Sequence, residues 1–305
     1  MELINIQNAT AWRGSTKVFD RLNLSIPHDR STAVLGPNGA GKSTLLRIIT
    51  RKIYPNPTPD CVVEILGKRR WNVWELRKQL GIVSQDMQHT YREDVNGFDV
   101  AASGFFSSVG IPDHIEIDQP QRKRVEELLA DLKIDSLRTK SYAAMSTGEQ
   151  RRFLLARALV HDPHTLIFDE PTAGLDIPGI FHYLQTARRL MQSGKTLVVV
   201  THHVHEIPPE VSHLVMMKDG EVFKTGEKSD LLNDETISEL FDVSLKVVET
   251  DGYFQVLPAC CVAVWSGFII RQCSFIARAL AKHSRIFSVS SSINSSSVSS
   301  RYCSG

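Results

Sequence analysis

The stretch from Ala33 to Ile49 constrains this chain more than any other. A short apolar run, Ala33-Val34-Leu35, leads into Gly36-Pro37-Asn38-Gly39-Ala40-Gly41-Lys42-Ser43-Thr44, and an apolar helical pattern follows through Leu45, Leu46, Ile48 and Ile49. Buried strand, glycine-rich loop and helix in that order make G-x-x-x-x-G-K-[ST] a phosphate-binding loop rather than a chance string. Gly36, Gly39 and Gly41 let bare backbone N–H groups approach phosphate oxygens, and the first turn of the helix adds unpaired donors and its positive dipole end. Lys42 supplies a mobile positive charge for the β- and γ-phosphates. Ser43 supplies a hydroxyl that can ligate Mg²⁺, with Thr44 beside it.

Composition sets the frame for that loop. A chain of 305 residues with 42% apolar content can bury a full core, and a net charge of +1 gives no basic field for nucleic acid or an anionic membrane. The average hides a split, because residues 259–305 hold five Lys/Arg and no Asp or Glu, leaving the first 258 with 30 basic against 34 acidic residues. Cys61 stands alone in the body, so no disulfide framework is expected there and the body reads as cytosolic. The start, Met1-Glu2-Leu3-Ile4-Asn5, does not read as a secretory signal. No window reaches the roughly 18 apolar residues of a spanning helix, so a membrane role is expected to come through a partner.

Along the chain, Leu3–Ile6 and Leu22–Ile26 read as strands before the loop, and Cys61–Leu66 and Gly81–Ser84 as strands after it, the last ending in Gln85. From Asp86 to Tyr142 strand signals vanish and Val125, Leu128, Leu129 and Leu132 carry helical spacing, the texture of a helical insertion. Helix and strand then alternate: a helix over Glu149–Val160, an apolar strand Thr165–Phe168 ending in Asp169-Glu170-Pro171, and a helix over Ile180–Gln192. A second apolar strand, Thr196–Val200, ends in Thr201-His202, and a hairpin turns at Asp219-Gly220. Continuous apolar strands alternating with helices predict an α/β fold with a mostly parallel sheet covered on both faces. Ligands bind such sheets at the carboxyl ends of strands, where the loop, Asp169-Glu170 and His202 all fall.

Each of those strand ends carries chemistry. Asp169 is placed to hold Mg²⁺ through its water shell. Glu170 beside it can orient or deprotonate an attacking water, His202 can reach a γ-phosphate and hold that water in line, and Gln85 can sense Mg²⁺ without titrating. Met145-Ser146-Thr147-Gly148-Glu149-Gln150-Arg151-Arg152 opens the next helix; Ser146 with Glu149 is a capping box in its own right, and its free helix end can also bind an anion.

Taken together, these residues resemble the ATP-binding cassette (ABC) ATPases over about residues 2–245. The phosphate loop is matched by Gly36–Thr44, the Q-loop by Gln85, and the Leu-Ser-Gly-Gly-Gln signature by Met145–Gln150. Leu166–Glu170 matches Walker B with its catalytic Glu, Ala173-Gly174-Leu175-Asp176 the D-loop, and His202 the switch histidine. Trp12 sits where the family places an aromatic that stacks on adenine. The resemblance implies a P-loop NTPase with an antiparallel β subdomain and a helical insertion subdomain. It implies an ATP core over 1–85 and 152–245, a helical signature subdomain over 86–151 and a C-terminal edge over 246–258. ATP and Mg²⁺ would bind at Trp12, Gly36, Asn38, Gly39, Gly41, Lys42, Ser43 and Thr44, with Ser43, Gln85 and Asp169 on the metal and Glu170, His202 and Gln85 in hydrolysis. A second cassette, in a homodimer, would present Ser146, Thr147, Gly148 and Glu149 to the same ATP across the D-loop Asp176.

Partners follow from the same resemblance: transmembrane permease subunits docking near Gln85–Gly110, a substrate-binding protein and no nucleic acid, at the inner face of the plasma membrane. The stretch around Asp86–His89 and Gly104-Phe105-Phe106 looks like importers of metal chelates or oxyanions, although the two Phe are equally read as packing of the helical insertion. A soluble, non-transport switch ATPase is the alternative function. Thr147 and Glu149 depart from the family's Gly and Gln. Residues 259–305, rich in Ser, read as a disordered extension without a catalytic part.

Overall fold

The computed structural model describes residues 2–91, 94–112 and 115–259; the expectations for the Ser-rich segment therefore lie outside the described residues. The central sheet has the order β5-β6-β7-β3-β8-β9, built from β3 (Thr32–Leu35), β5 (Leu80–Val83), β6 (Thr165–Asp169), β7 (Thr196–Thr201), β8 (His213–Lys218) and β9 (Glu221–Glu227). Its pairings are parallel except β8 with β9, which form the antiparallel hairpin at one edge. All four residues of β3 and all six of β7 are buried, as expected of parallel strands covered on both faces. Alternation along them sorts the core: Ile167, Val198 and Val200 face one layer, Leu166, Phe168 and Leu197 the other.

The first layer is α1 (Lys42–Ile49), which buries Leu45, Ile48 and Ile49 between the central sheet and a second sheet of order β2-β1-β4. That sheet is antiparallel, from β1 (Glu2–Arg13), β2 (Thr16–Pro27) and β4 (Val62–Ile65). Here the structure extends the sequence reading: the two short strands expected at 3–6 and 22–26 are the ends of a hairpin with 12 residues in each arm. Register shifts between Ile6 and Ala9 and between Ala9 and Ala11, with Asn8 and Arg21 at positive φ, break the alternation that marks a strand in sequence.

Helix α2 (Val73–Gln79) adds Leu76 to the first layer, and the second gathers α3 (Gln85–Gln88), α4 (Gly97–Ala102), α5 (Gln119–Asp131), α6 (Thr147–Leu159) and α7 (Ile177–Gln192). No strand falls between 86 and 142 among the described residues, and Val125, Leu128 and Leu129 of α5 pack with Phe153 and Leu154 of α6. Phe105 packs against this cluster and meets the His161 ring edge-on at 5.3 Å, so packing accounts for it. Helix α6 runs without a break across residues 151 and 152, from the signature segment into the core. Helix α2 has no counterpart in the sequence reading, because it buries only Leu76 and so shows no apolar stripe. At the other end α8 (Lys228–Leu231), α9 (Asp234–Phe241) and the hairpin of β10 (Leu245–Thr250) and β11 (Tyr253–Pro258) close a third cluster through Ile237, Leu240 and Phe254.

Candidate functional site: a phosphate loop facing two strand ends

The loop between β3 and α1 is held open by its glycines. Gly39 and Gly41 have φ of 89° and 96°, and Gly41 is the N-cap of α1. A Cβ at Gly36 would stand 2.2 Å from the Met217 carbonyl oxygen, and one at Gly41 2.4 Å from the Phe19 ring. Gly36 N donates to Thr201 O at 3.3 Å, which ties the root of the loop to the end of β7. Lys42 is buried, and its Nζ donates to Gly36 O at 2.8 Å and Pro37 O at 3.0 Å. Burial pulls its pKa below the ordinary lysine range, with Glu170 and Asp169 opposing the shift.

Strands β6 and β7 bring the other groups to the same edge, because Asp169 is in register with Val200. Lys42 Nζ lies 3.9 Å from Glu170 Oε1, and His202 Nδ1 lies 2.6 Å from Glu170 Oε2. That second approach is close but poorly aligned for a hydrogen bond, and neither atom has another hydrogen-bond partner. Glu170 itself holds a φ of 46°, a left-handed conformation that a non-glycine residue keeps only when its surroundings enforce it. Three bonds do so: Glu170 N donates to Val200 O at 2.8 Å, and Arg151 donates to Glu170 O at 2.9 Å and to Ala173 O at 2.6 Å.

Asp169 is pushed up to about 6 by burial and by the neighbouring carboxylates of Glu170 and Asp86, only partly offset by Lys42 and Arg151. It opens on two cavities. One, of about 510 Å³, also touches Ser43, Arg47 and Asp86. The other, of about 580 Å³, is shared with Gln85, Ser146, Thr147, Gly148 and Glu149. Gln85 is the first residue of α3 and is exposed.

The signature segment caps α6. Ser146 accepts from Glu149 N at 3.3 Å while Glu149 Oε2 accepts from Ser146 N at 2.8 Å, the reciprocal box expected from sequence. Glu149 Oε2 also takes Lys140 Nζ at 3.0 Å, so this oxygen is committed within its own chain, and these bonds hold the carboxyl below the ordinary range. Asp176 is exposed and caps α7, accepting from Gly179 N at 3.0 Å. Trp12 is 45% exposed, paired with Lys17 on the hairpin whose Val18 and Phe19 press on Gly41. The ring of His202 is tilted against that of His203 at 3.8 Å, His203 stacks on His205 at 5.0 Å, and among the described residues no group of three or more His, Cys, Asp or Glu could hold a metal ion.

Two residues at the site had no assigned role in the sequence reading. Arg151 stands in the string that opens α6 without a task of its own, and Glu206 is not singled out by any motif. Glu206 is fully buried, with Oε1 accepting from Thr172 N at 3.0 Å and from the Thr172 hydroxyl, and Oε2 accepting from the Thr201 hydroxyl. A lone Glu after an apolar strand carries no signal of burial in sequence, since charged side chains are seldom inside.

Similarity to known proteins agrees with this arrangement. A family model described as ABC transporter matches residues 19–173. The cobalt import ATP-binding protein CbiO of Rhodobacter capsulatus is 33% identical over 73% of this chain and 78% of its own length. The uncharacterized ABC transporter ATP-binding protein YlmA of Bacillus subtilis is 29% identical over 81% of this chain and 93% of its own. Among solved structures, cbiO1 of Clostridium perfringens, part of the ABC transporter complex cbiONQ, superposes with a TM-score of 0.63 and 26% identity, over 78% of this chain and 93% of that one. With a phosphate loop, two strand-end acids and a histidine meeting at one sheet edge, and the matched family model spanning half of its length, the chain belongs to the ABC transporter ATP-binding family, whose members bind and hydrolyse ATP.

Proposed function

We propose that this chain is the ATP-hydrolysing subunit of an importer, and that Glu170 is the general base of its reaction. The observation that carries the reading is the position of the Glu170 carboxylate, one oxygen toward Lys42 and the other 2.6 Å from His202. ATP lies with its phosphates on the backbone of Gly36–Thr44, Asn38 included, and its adenine on Trp12. Lys42 exchanges its two carbonyl partners for β- and γ-phosphate oxygens. Glu170 takes a proton from the attacking water as its oxygen bonds to the γ-phosphorus and the bond to the β-phosphate oxygen breaks, leaving ADP and phosphate. His202 keeps Glu170 and the γ-phosphate in line. The Asp169 carboxylate, set beside Glu170 at the strand end and opening on a cavity shared with Ser43, suits a divalent cation, which Ser43, Asp169 and Gln85 would hold. Mg²⁺ there would neutralise charge on the β- and γ-phosphates.

The chain works as a head-to-tail homodimer in which Ser146, Thr147, Gly148 and Glu149 of one copy meet the ATP of the other beside Asp176. Permease subunits dock on the segment from Gln85 to Gly110, and closure on ATP drives them. Among the described residues no helix is long and apolar enough to cross a membrane, which fits a subunit held on the inner face of the plasma membrane by such partners. The cargo is a metal chelate or an oxyanion, the metal side of that choice supported by similarity to a cobalt import protein, and a substrate-binding protein would deliver it.

The test is a pull-down of the tagged chain from detergent-solubilised membranes of its source cells, read by mass spectrometry. A polytopic membrane protein in near-equal amount is the expected result. Only soluble partners, with ATP hydrolysis intact, would overturn the transport reading in favour of a soluble switch ATPase.

A further inference from the structure

Glu170 and His202 come from different strands, and their 2.6 Å approach needs the segments after β6 and around the end of β7 to keep one spacing. The structure assigns that task to Glu206, as a positioning residue for hydrolysis; the inference rests on the proposed role of Glu170. The carboxylate reaches in two directions. Oε1 takes both the backbone N–H and the hydroxyl of Thr172, two residues beyond Glu170, and Oε2 takes the hydroxyl of Thr201, one residue before His202. Thr201 Oγ1 in turn accepts from His203 N at 2.8 Å, so the bond chain encloses His202 on both sides.

The chemistry favours a two-oxygen acceptor in this place. A fully buried carboxylate is costly unless its lone pairs are filled, and three donors converge on Glu206. A hydroxyl or a main-chain carbonyl offers one oxygen, so both segments would have to meet at a single atom. Gln is isosteric but turns one end into a donor, which faces either the Thr172 N–H or a Thr201 hydroxyl that must then give up its own donation to this side chain and accept a second bond beside that from His203. One arm is therefore weakened while the volume is kept. Rate is sensitive to this kind of change, because a misplacement of about 1 Å can cost on the order of a hundredfold. Glu206 makes none of its observed bonds to the phosphate loop and meets it only through Thr201, whose main-chain oxygen accepts from Gly36 N, and through its charge on Lys42, so ATP binding is expected to change less than the rate.

The experiment measures kcat, KM for ATP, ATP affinity and Tm for Glu206→Gln, in the full-length chain or in its complex with the co-purifying permease. We expect kcat to fall about tenfold or more, with KM and affinity within about twofold and Tm close to the parent. In a Glu170→Gln background the same change should cost nothing further, since Glu206 acts through Glu170. An unchanged kcat, or a joint loss of Tm, affinity and rate, would overturn the inference. Should Glu206→Gln fail to fold, Thr201→Val against Thr201→Ser decides: the first removes the hydroxyl and should slow kcat, the second restores both, and equal rates would overturn the clamp. Full activity of Glu170→Gln alone would instead sink the role of Glu170 itself. An inactive Glu170→Gln beside a fully active Glu206→Gln would sink only the role of Glu206.

Discussion

Gln88 Nε2 donates to Gln150 Oε1 at 2.7 Å, joining the segment that begins at Gln85 to the helix that begins at the signature. Gln150 passes the contact on, donating from Nε2 to Tyr142 O at 2.9 Å. A movement of α3, on the proposed permease face, is thereby linked to α6, which carries Arg151 and its grip on Glu170.

Breaking that link should be visible as stability. Gln88 is buried, so Gln88→Ala leaves the Gln150 amide oxygen without its donor and is expected to destabilise the chain by about 1–2 kcal/mol. Urea unfolding of Gln88→Ala, Gln150→Ala and the double variant checks this. The double variant should lose less than the sum of the singles, and strict additivity would show that the two amides do not interact.

Lys42→Ala should weaken ATP binding by roughly ten- to a hundredfold, the range of a lost charge-assisted hydrogen bond of about 1.5–3 kcal/mol. A fluorescent ATP analogue titrated into the parent and variant chains measures it. Equal affinities would mean that Lys42 stays with the carbonyls of Gly36 and Pro37 when nucleotide is bound.

Glu170→Gln keeps shape and removes the base. Hydrolysis is expected to fall by about a hundredfold or more while ATP still binds, so the closed dimer accumulates. Size-exclusion chromatography with light scattering, with ATP present at high protein concentration, should show a dimer. A variant that remains a monomer under those conditions would contradict the head-to-tail sandwich.

His161 sets a pH dependence on stability. Its Nε2 is buried without a hydrogen-bond partner, and burial pulls its pKa below the ordinary 6.5. The unfolded chain therefore takes up its proton at higher pH than the folded chain. The contribution of His161 to stability is complete above about 6.5 and is lost as the pH falls through the folded-state value. The urea midpoint should drop between pH 7.5 and pH 5, and His161→Phe, which packs beside Phe105 without titrating, should drop less. An identical drop in both would assign the dependence to other groups.

The parts of this protein that were legible in its sequence are those encoded by neighbouring residues. A loop whose glycines must take positive φ, a helix opened by Ser146 and Glu149, and strands so apolar that both faces must be covered are local demands, and each appears where the residues require it. The α/β class and the placement of Lys42, Asp169, Glu170 and His202 at strand ends follow from them. Other features come from sheet order and burial, which no short stretch contains. Only the adjacency of β6, β7 and β3 sets Glu170 between Lys42 and His202. Bulges concealed half of the β1–β2 hairpin, Lys140 engaged the Glu149 carboxylate, and packing took Glu206 to zero exposure. Local backbone preference acts over a few residues, so sequence alone determined which groups this chain carries to the edge of its sheet. The distances among those groups depend on segments far apart along the chain, and only the tertiary structure decided them.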